Sequence, residues 1–232
     1  DEDAVYREGE EIAQACFGCH GDKGFSSEPG IPSLAGQQPI YLMVSTQDYA
    51  SGSRGHEGKE AMLAGLQQID LEKMALFFAA QLPARREPPP FGDPALGEPL
   101  TAACGGCHGD RGVSHDPVVP SLAGQEPTYL VDAIRAYRDH ERIHEDMVTD
   151  RTDEEIEHIA AFYAVQQSGA AVDREEPVRT MAAKCDRCHG RGVQNTAMAV
   201  PTLNGQNRDY LVDVMKQYRD DDRGSSMMHK MS

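Results

Sequence analysis

The chain has 232 residues, with 38 acidic against 22 basic side chains and a formal net charge of -16. That balance excludes electrostatic attraction to nucleic-acid phosphates or to anionic membrane surfaces, and no run of 18 consecutive apolar residues is available to cross a bilayer. Aromatic residues make up only 6% of the chain and Trp is absent, so large side chains for building a core are scarce.

Near the N-terminus stands Cys16-Phe17-Gly18-Cys19-His20. Two thiols on one helical turn can add to the two vinyl groups of a porphyrin. The His that follows then lies under the iron as its proximal ligand, and Cys-x-x-Cys-His reads as an attachment site for c-type haem. A Gly-rich turn comes next, Gly21-Asp22-Lys23-Gly24, and then Ile31-Pro32-Ser33-Leu34-Ala35-Gly36-Gln37. Tyr41-Leu42 opens a helical segment, with a second Tyr at Tyr49 and an Arg at Arg54. Apolar residues at helical spacing predict an amphipathic helix from Asp70 to Gln81. The stretch from Pro83 to Pro94 carries five prolines and cannot be helical throughout.

The same order then returns. Cys104-Gly105-Gly106-Cys107-His108 is followed by Gly109-Asp110-Arg111-Gly112, Val119-Pro120-Ser121-Leu122-Ala123-Gly124-Gln125, Tyr129-Leu130, Tyr137 and Arg142. A closing helix is expected from Asp153 to Gln166, with Thr152 as N-cap and an acidic first turn. A second linker runs from Gln167 to Pro177. The third copy reads Cys185-Asp186-Arg187-Cys188-His189, Gly190-Arg191-Gly192, Val200-Pro201-Thr202-Leu203-Asn204-Gly205-Gln206, Tyr210-Leu211, Tyr218 and Arg223.

The three motifs use all six cysteines. A zinc ribbon pairs one Cys-x-x-Cys with another close by, and a dithiol redox motif needs no His, let alone three. The repeat therefore predicts three covalently bound haem c groups in three units, 1–86, 87–171 and 172–232. Units of about 80 residues are small for a stable core, and a covalently held haem supplies the apolar interior they lack. The Pro-rich linkers favour an extended or gently bent row with successive haem edges facing each other. The third unit reaches Ser232 without the closing helix of the other two, which predicts a missing helix there. The start at Asp1, without Met or a signal-like segment, reads as a processed mature protein.

Over its whole length this pattern resembles the class I c-type cytochromes, and in particular the periplasmic tandem di-haem cytochromes of the c-four family, extended by one unit. The Cys-x-x-Cys-His, Pro-x-Leu-x-Gly-Gln and Tyr-Leu segments carry the resemblance. It implies an all-α fold of three tandem class I cytochrome c domains, each wrapping one haem. It also implies that the backbone carbonyls of Pro32, Pro120 and Pro201 receive the ring N–H of His20, His108 and His189, fixing the tautomer of each proximal ligand.

The sixth ligands differ between units. Counted from its first Tyr, unit three ends in Met227-Met228-His229-Lys230-Met231 and unit one in Gly58-Lys59-Glu60-Ala61-Met62; unit two lines up as Ile143-His144-Glu145-Asp146-Met147. In the family resembled, the distal Met often occupies the first place of this X-x-x-Met frame. The frame therefore selects Lys59, His144 and Met228. Met62 and His56 compete at haem one, Met147 at haem two, and Met227, His229 and Met231 at haem three. A ligating Lys must be neutral, far from its usual pKa. His115, His140 and His158 read as exposed side chains without a role, and Met43, Met74, Met181 and Met198 as packing residues.

Electron transfer follows as the expected function: a periplasmic tri-haem carrier of single electrons between donor and acceptor complexes. Its partners are expected to be redox proteins with a basic docking face, with any membrane reached only through a partner complex. The rival reading makes haem one, with a displaceable Lys59, an enzymatic centre for a small inorganic substrate; thiosulfate-oxidising cytochromes resemble this, although they use a Cys thiolate that is not spare here. A third reading is a permanently docked cytochrome subunit.

Overall fold

The computed structural model describes residues 2–56, 58–81, 85–114, 116, 118–144, 148–167, 185, 189, 203 and 206–219, and among these it is helical without a strand. In the first unit α1 (Glu2–His20) runs directly into the first Cys-x-x-Cys-His string. It is followed by α2 (Pro39–Ala50), α3 (Lys59–Leu63) and α4 (Gln68–Ala79). The second unit holds α5 (Pro94–Gly97), α6 (Gly105–His108), α7 (Pro127–Arg138) and α8 (Asp153–Ala164). From the third repeat, α9 (Arg208–Arg219) is described.

The long entry helix of unit one is broken in unit two. Asp93 caps α5 by accepting the Ala95 N–H at 2.8 Å, with Pro94 at the first helical position. Pro99 and the Gly105-Gly106 pair then interrupt regular helix through a 3-10 turn at Glu98–Thr101. Both units nevertheless cross the entry helix against the closing helix in one way, α1 on α4 and α5 on α8. The crossings rest on Gly9 and Gly97, where a Cβ would stand 2.6 Å from the Lys73 carbonyl oxygen and 2.1 Å from that of His158.

Each unit has its own apolar core. Ala13, Ile40, Met43, Leu71, Met74, Phe77 and Phe78 form the first; Leu130, Val131, Ile156, Ile159, Phe162 and Tyr163 form the second. Met43 and Met74 pack there as expected, 1% and 4% exposed. The closing helices stop two residues before the spacing predicts, at Ala79 and Ala164, and α4 also begins two residues earlier, at Gln68. Gln81 and Gln166 have left the helix to cap it, their side-chain amides donating to the Phe77 and Phe162 carbonyls at 2.7 and 2.9 Å. Thr152 caps α8 as expected, and Glu155 completes a reciprocal box with it: the Glu155 N–H donates to Thr152 Oγ1 at 3.2 Å and the Thr152 N–H to Glu155 Oε2 at 3.0 Å. His158 departs from expectation. It is half-buried on α8, and its Nδ1 accepts the Asp93 N–H at 2.8 Å, tying the linker to the helix.

Units one and two are clamped together along their Pro-Ser-Leu-Ala-Gly-Gln strings, a closer arrangement than linker composition alone conveys. The buried Gln37 amide donates to the Ser121 carbonyl at 2.9 Å and accepts the Ser121 N–H at 2.7 Å. Gln125 makes the mirror-image pair with Ser33, at 3.0 and 2.6 Å. The symmetry breaks one residue on. Gln38 donates to the Ser114 carbonyl at 2.5 Å, but its counterpart Glu126 has no side-chain N–H to give. The equivalent Ser26 carbonyl is served instead by Arg86 from the linker, at 2.6 Å. Arg86 also donates to Gly124 O at 2.8 Å.

Candidate haem-binding sites

The thiols of units one and two are arranged alike. Cys16 and Cys104 are half-buried against the two cores, Cys19 and Cys107 are exposed, and all four are free thiols. The two thiols of each pair stand three residues apart on one turn, the spacing that lets both add to the vinyl groups of one porphyrin. Burial pushes the Cys16 thiol above its ordinary value, with the Lys59 charge working against it.

The proximal histidines are buried and fixed. His20 Nδ1 lies 2.7 Å from the Pro32 carbonyl oxygen, and His108 Nδ1 lies 2.8 Å from that of Pro120. A carbonyl only accepts, so Nδ1 carries the proton and Nε2 keeps the lone pair that a metal needs. Burial lowers the proton affinity of both rings, more than the Pro carbonyls raise it, which keeps the imidazoles neutral and fit to ligate. The loop between each His and its Pro repeats bond for bond. Leu34 and Ala35 N–H both donate to Gly24 O, and Leu122 and Ala123 N–H both donate to Gly112 O. Gly24 and Gly112 sit at φ +85° and +79°, where a Cβ would meet the rings of Phe78 and Tyr163 at 2.6 Å.

Opposite His108 stands His144. Their ring centroids are 6.1 Å apart and their planes 7° from parallel. Two imidazoles sharing one metal at about 2 Å per nitrogen hold their centroids about 6 Å apart, the separation seen here. Tyr137 packs against His144 at 4.8 Å.

In unit one Lys59 sits half-buried at the start of α3, its Nζ 3.9 Å from the centre of the Tyr49 ring. Burial, and next the neighbouring Arg54 charge, push its pKa down to about 8. Lys59 and then His56 each depress the proton affinity of His20, so both stand on its side of the unit. His56 is exposed and meets Tyr49 edge-on at 5.9 Å. Met62, its other competitor, is 47% exposed.

In the third repeat Cys185 is half-buried and His189 buried. The Gln206 N–H donates to Leu203 O at 3.1 Å, repeating the Gln37–Leu34 and Gln125–Leu122 turns at 3.2 Å. Cys188, Pro201, Met227, Met228, His229 and Met231 lie outside the described residues, as do His115 and Met147.

Sequence reasoning picked out a second Tyr and an Arg in each repeat but gave them no role. Tyr49 and Tyr137 carry Arg54 and Arg142 on their faces, with the guanidinium carbons 4.6 and 4.4 Å from the ring centres. Their recurrence eight and thirteen residues after the first Tyr of each repeat was the available signal.

No family model matches the chain. It is 31% identical over 149 residues to cytochrome c4 of Thiocapsa roseopersicina, covering 56% of this chain and 77% of that protein. Identity to cytochrome c4 of Stutzerimonas stutzeri is 34% over 149 residues, 55% of this chain and 69% of that one. A thiosulfate dehydrogenase electron acceptor from Thiomonas intermedia is 30% identical over 142 residues, 56% of this chain and 65% of that one. Among solved structures, reduced cytochrome c4 from Pseudomonas stutzeri aligns at a TM-score of 0.60 and 27% identity, over 72% of this chain and 98% of that one. A thiosulfate dehydrogenase from Marichromatium purpuratum aligns at 0.63 and 26%, over 72% of this chain and 41% of that one.

Proposed function

The chain belongs to the cytochrome c4 family and carries covalently bound haem c, and from this premise we propose that it is a periplasmic carrier of single electrons with three haems in three tandem domains, 1–86, 87–171 and 172–232. The observation that carries this reading is the paired His20–Pro32 and His108–Pro120 bonds, each behind a free Cys-x-x-Cys thiol pair, with a third copy of the string at Cys185 and His189. The haems supply reversible one-electron chemistry; the chain holds the proximal imidazoles neutral, excludes water with its two cores and clamps two of the centres at a fixed separation. The distal ligands are Lys59, His144 and Met228. No helix among the described residues is long and apolar enough to cross a membrane, and the acidic surface suits redox partners with basic docking faces.

Haem content is the deciding experiment. Pyridine haemochrome assay is expected to give three haems per chain, with all colour staying on the protein after acid–acetone extraction. Two haems per chain would sink the count.

The likeness to a protein that is itself a thiosulfate dehydrogenase electron acceptor favours one donor class, an enzyme oxidising a sulfur oxyanion. Catalysis at haem one is the competing reading. Thiosulfate turnover by the isolated chain with an artificial oxidant separates the two: a carrier shows none, whereas a catalytic haem one turns over and loses that activity in Lys59→Met.

A further inference from the structure

The Pro32–Ser33 peptide is hydrogen-bonded on both sides. Its carbonyl accepts the His20 Nδ1–H at 2.7 Å, and its N–H donates to Gln125 Oε1 of unit two at 2.6 Å. The Pro120–Ser121 peptide does the same, with His108 at 2.8 Å and Gln37 Oε1 of unit one at 2.7 Å. A single peptide plane therefore stands between each proximal imidazole and a carboxamide of the opposite unit. The orientation of both carboxamides is forced. Each Oε1 also accepts the N–H of the next residue, Glu126 for Gln125 at 2.8 Å and Gln38 for Gln37 at 2.9 Å, and each Nε2 faces a Ser carbonyl. A backbone N–H only donates and a carbonyl only accepts, so neither carboxamide can be turned round. Gln37, Gln125, Ser33 and Ser121 are all buried, where low dielectric strengthens each of these bonds.

Peptide resonance links the two ends of each plane. An acceptor on the N–H drives electron density toward the carbonyl oxygen, and hydrogen bonds in such a chain strengthen one another. A more negative Pro carbonyl pulls harder on the imidazole proton and makes the ring a stronger donor at Nε2. A stronger donor favours oxidised over reduced iron and so lowers the potential. We propose that Gln125 and Gln37 are crossed positioning residues. Gln125 in unit two holds down the potential of haem one through Ser33, Pro32 and His20, and Gln37 in unit one holds down that of haem two through Ser121, Pro120 and His108. Each potential thereby registers whether the opposite unit is docked. This rests on the reading of His20 and His108 as proximal ligands.

The test is a redox titration of the full haem-loaded chain followed by proton NMR, with each haem tied to its unit by contacts to its own Cys-x-x-Cys-His. Gln125→Met fills similar space without a strong acceptor. It is expected to raise the haem-one potential, with a smaller change at haem two, and to move the His20 Nδ1–H resonance of the reduced protein to higher field. Gln37→Met should do the converse, raising haem two and moving the His108 proton. If neither Met variant loads haem, Gln125→Glu decides. A carboxylate is a stronger acceptor for the Ser33 N–H, so the His20 proton should move to lower field, and an unmoved proton would overturn the proposal. Loosened docking alone acts on two symmetric faces and would move both potentials together in either Met variant. That outcome, or potentials and ring protons that stay where they are, would also overturn it. If His20 and His108 of the unaltered reduced chain lack the ring-current shifts of haem ligands, the reading beneath the proposal fails instead.

Discussion

His108 and His144 face one another with ring centroids 6.1 Å apart and planes 7° from parallel. Each is held from behind, His108 by the Pro120 carbonyl and His144 by Tyr137. Imidazole donates more strongly than thioether and holds haem potentials down, and axial ligands together span about 0.8 V. His144→Met is therefore expected to raise one haem potential by on the order of 0.1 V. The near-infrared charge-transfer band of that haem should move to the position of His/Met ligation. An unchanged band and potential would hand the second haem to Met147.

Gln125 bridges the units by donating to the Ser33 carbonyl and accepting its N–H, while also accepting the Glu126 N–H at 2.8 Å. Gln125→Ala strands these buried groups, each costing about 1–3 kcal/mol if water cannot reach it. The expected loss is about 2 kcal/mol, read as a lower urea midpoint with the visible haem spectrum unaltered. Gln37→Ala should behave alike, since it makes the mirror contact. If the two losses differ severalfold, the clamp does not act as a symmetric pair.

Much of this was legible in the strings themselves, for a physical reason. Covalent haem attachment and backbone-fixed ligands demand particular residues at particular spacings, so Cys16, Cys19, His20 and Pro32 declare themselves, as do Thr152 and Glu155 at the start of α8. The clamp was not legible. Gln37 was visible as a repeated letter, but whether a Gln caps its own turn or crosses to another unit depends on docking that no local spacing encodes. Arg86 was hidden further, because its role exists only where Glu126 replaces the glutamine of the other half. His158 was misjudged because an isolated His carries no pattern, and its bond to the Asp93 N–H is a tertiary accident of where the linker lies.

Gly112 has φ +79°, and a Cβ there would lie 2.6 Å from the Tyr163 ring. Gly112→Ala combines left-handed backbone strain of about 1–2 kcal/mol with overpacking of about 1–3 kcal/mol. A total near 2–4 kcal/mol is expected, with loss of the second unit's low-spin spectrum at lower urea than the first's. Gly106→Ala, inside the same haem motif but with nothing within 4 Å of its Cβ, should be close to neutral. Equal effects at both sites would show that packing against Tyr163 is not what Gly112 provides.

Acid should loosen the second unit at the α7–α8 contact. Arg138 first, and then Arg135, hold the Asp153 carboxyl below its ordinary range, and the Thr152 N–H does the same for Glu155. A depressed folded pKa means that this stabilisation is complete above the unfolded values, about 3.9 for Asp and 4.3 for Glu. It fades as pH falls through the lower folded values. Urea midpoints should therefore drop below about pH 4, and Asp153→Asn should flatten that slope while lowering the neutral-pH midpoint only slightly. The Asp153 side chain is 62% exposed, so high salt should shrink the difference between the two proteins. A slope that Asp153→Asn leaves unaltered would place the acid sensitivity elsewhere.

Lys59 is the sixth ligand we propose for haem one. Its ammonium nitrogen packs 3.9 Å from the Tyr49 ring, on the side of the unit from which it acts on His20 and both thiols. His56 is exposed and Met62 is 47% exposed, so neither is held as closely. An amine ligand is a stronger donor than a thioether, and replacing it with one raises the potential. Lys59→Met is thus expected to raise haem one by on the order of 0.1 V, and Lys59→Ala to leave it high-spin, open to cyanide or carbon monoxide. Ligand binding by the Ala variant at a single haem, absent in the unaltered chain, is the most direct reading. If Lys59→Ala stays fully low-spin with its potentials unmoved, the sixth ligand is His56 or Met62, and the His56→Ala and Met62→Ala variants tell which by the same gain of cyanide binding.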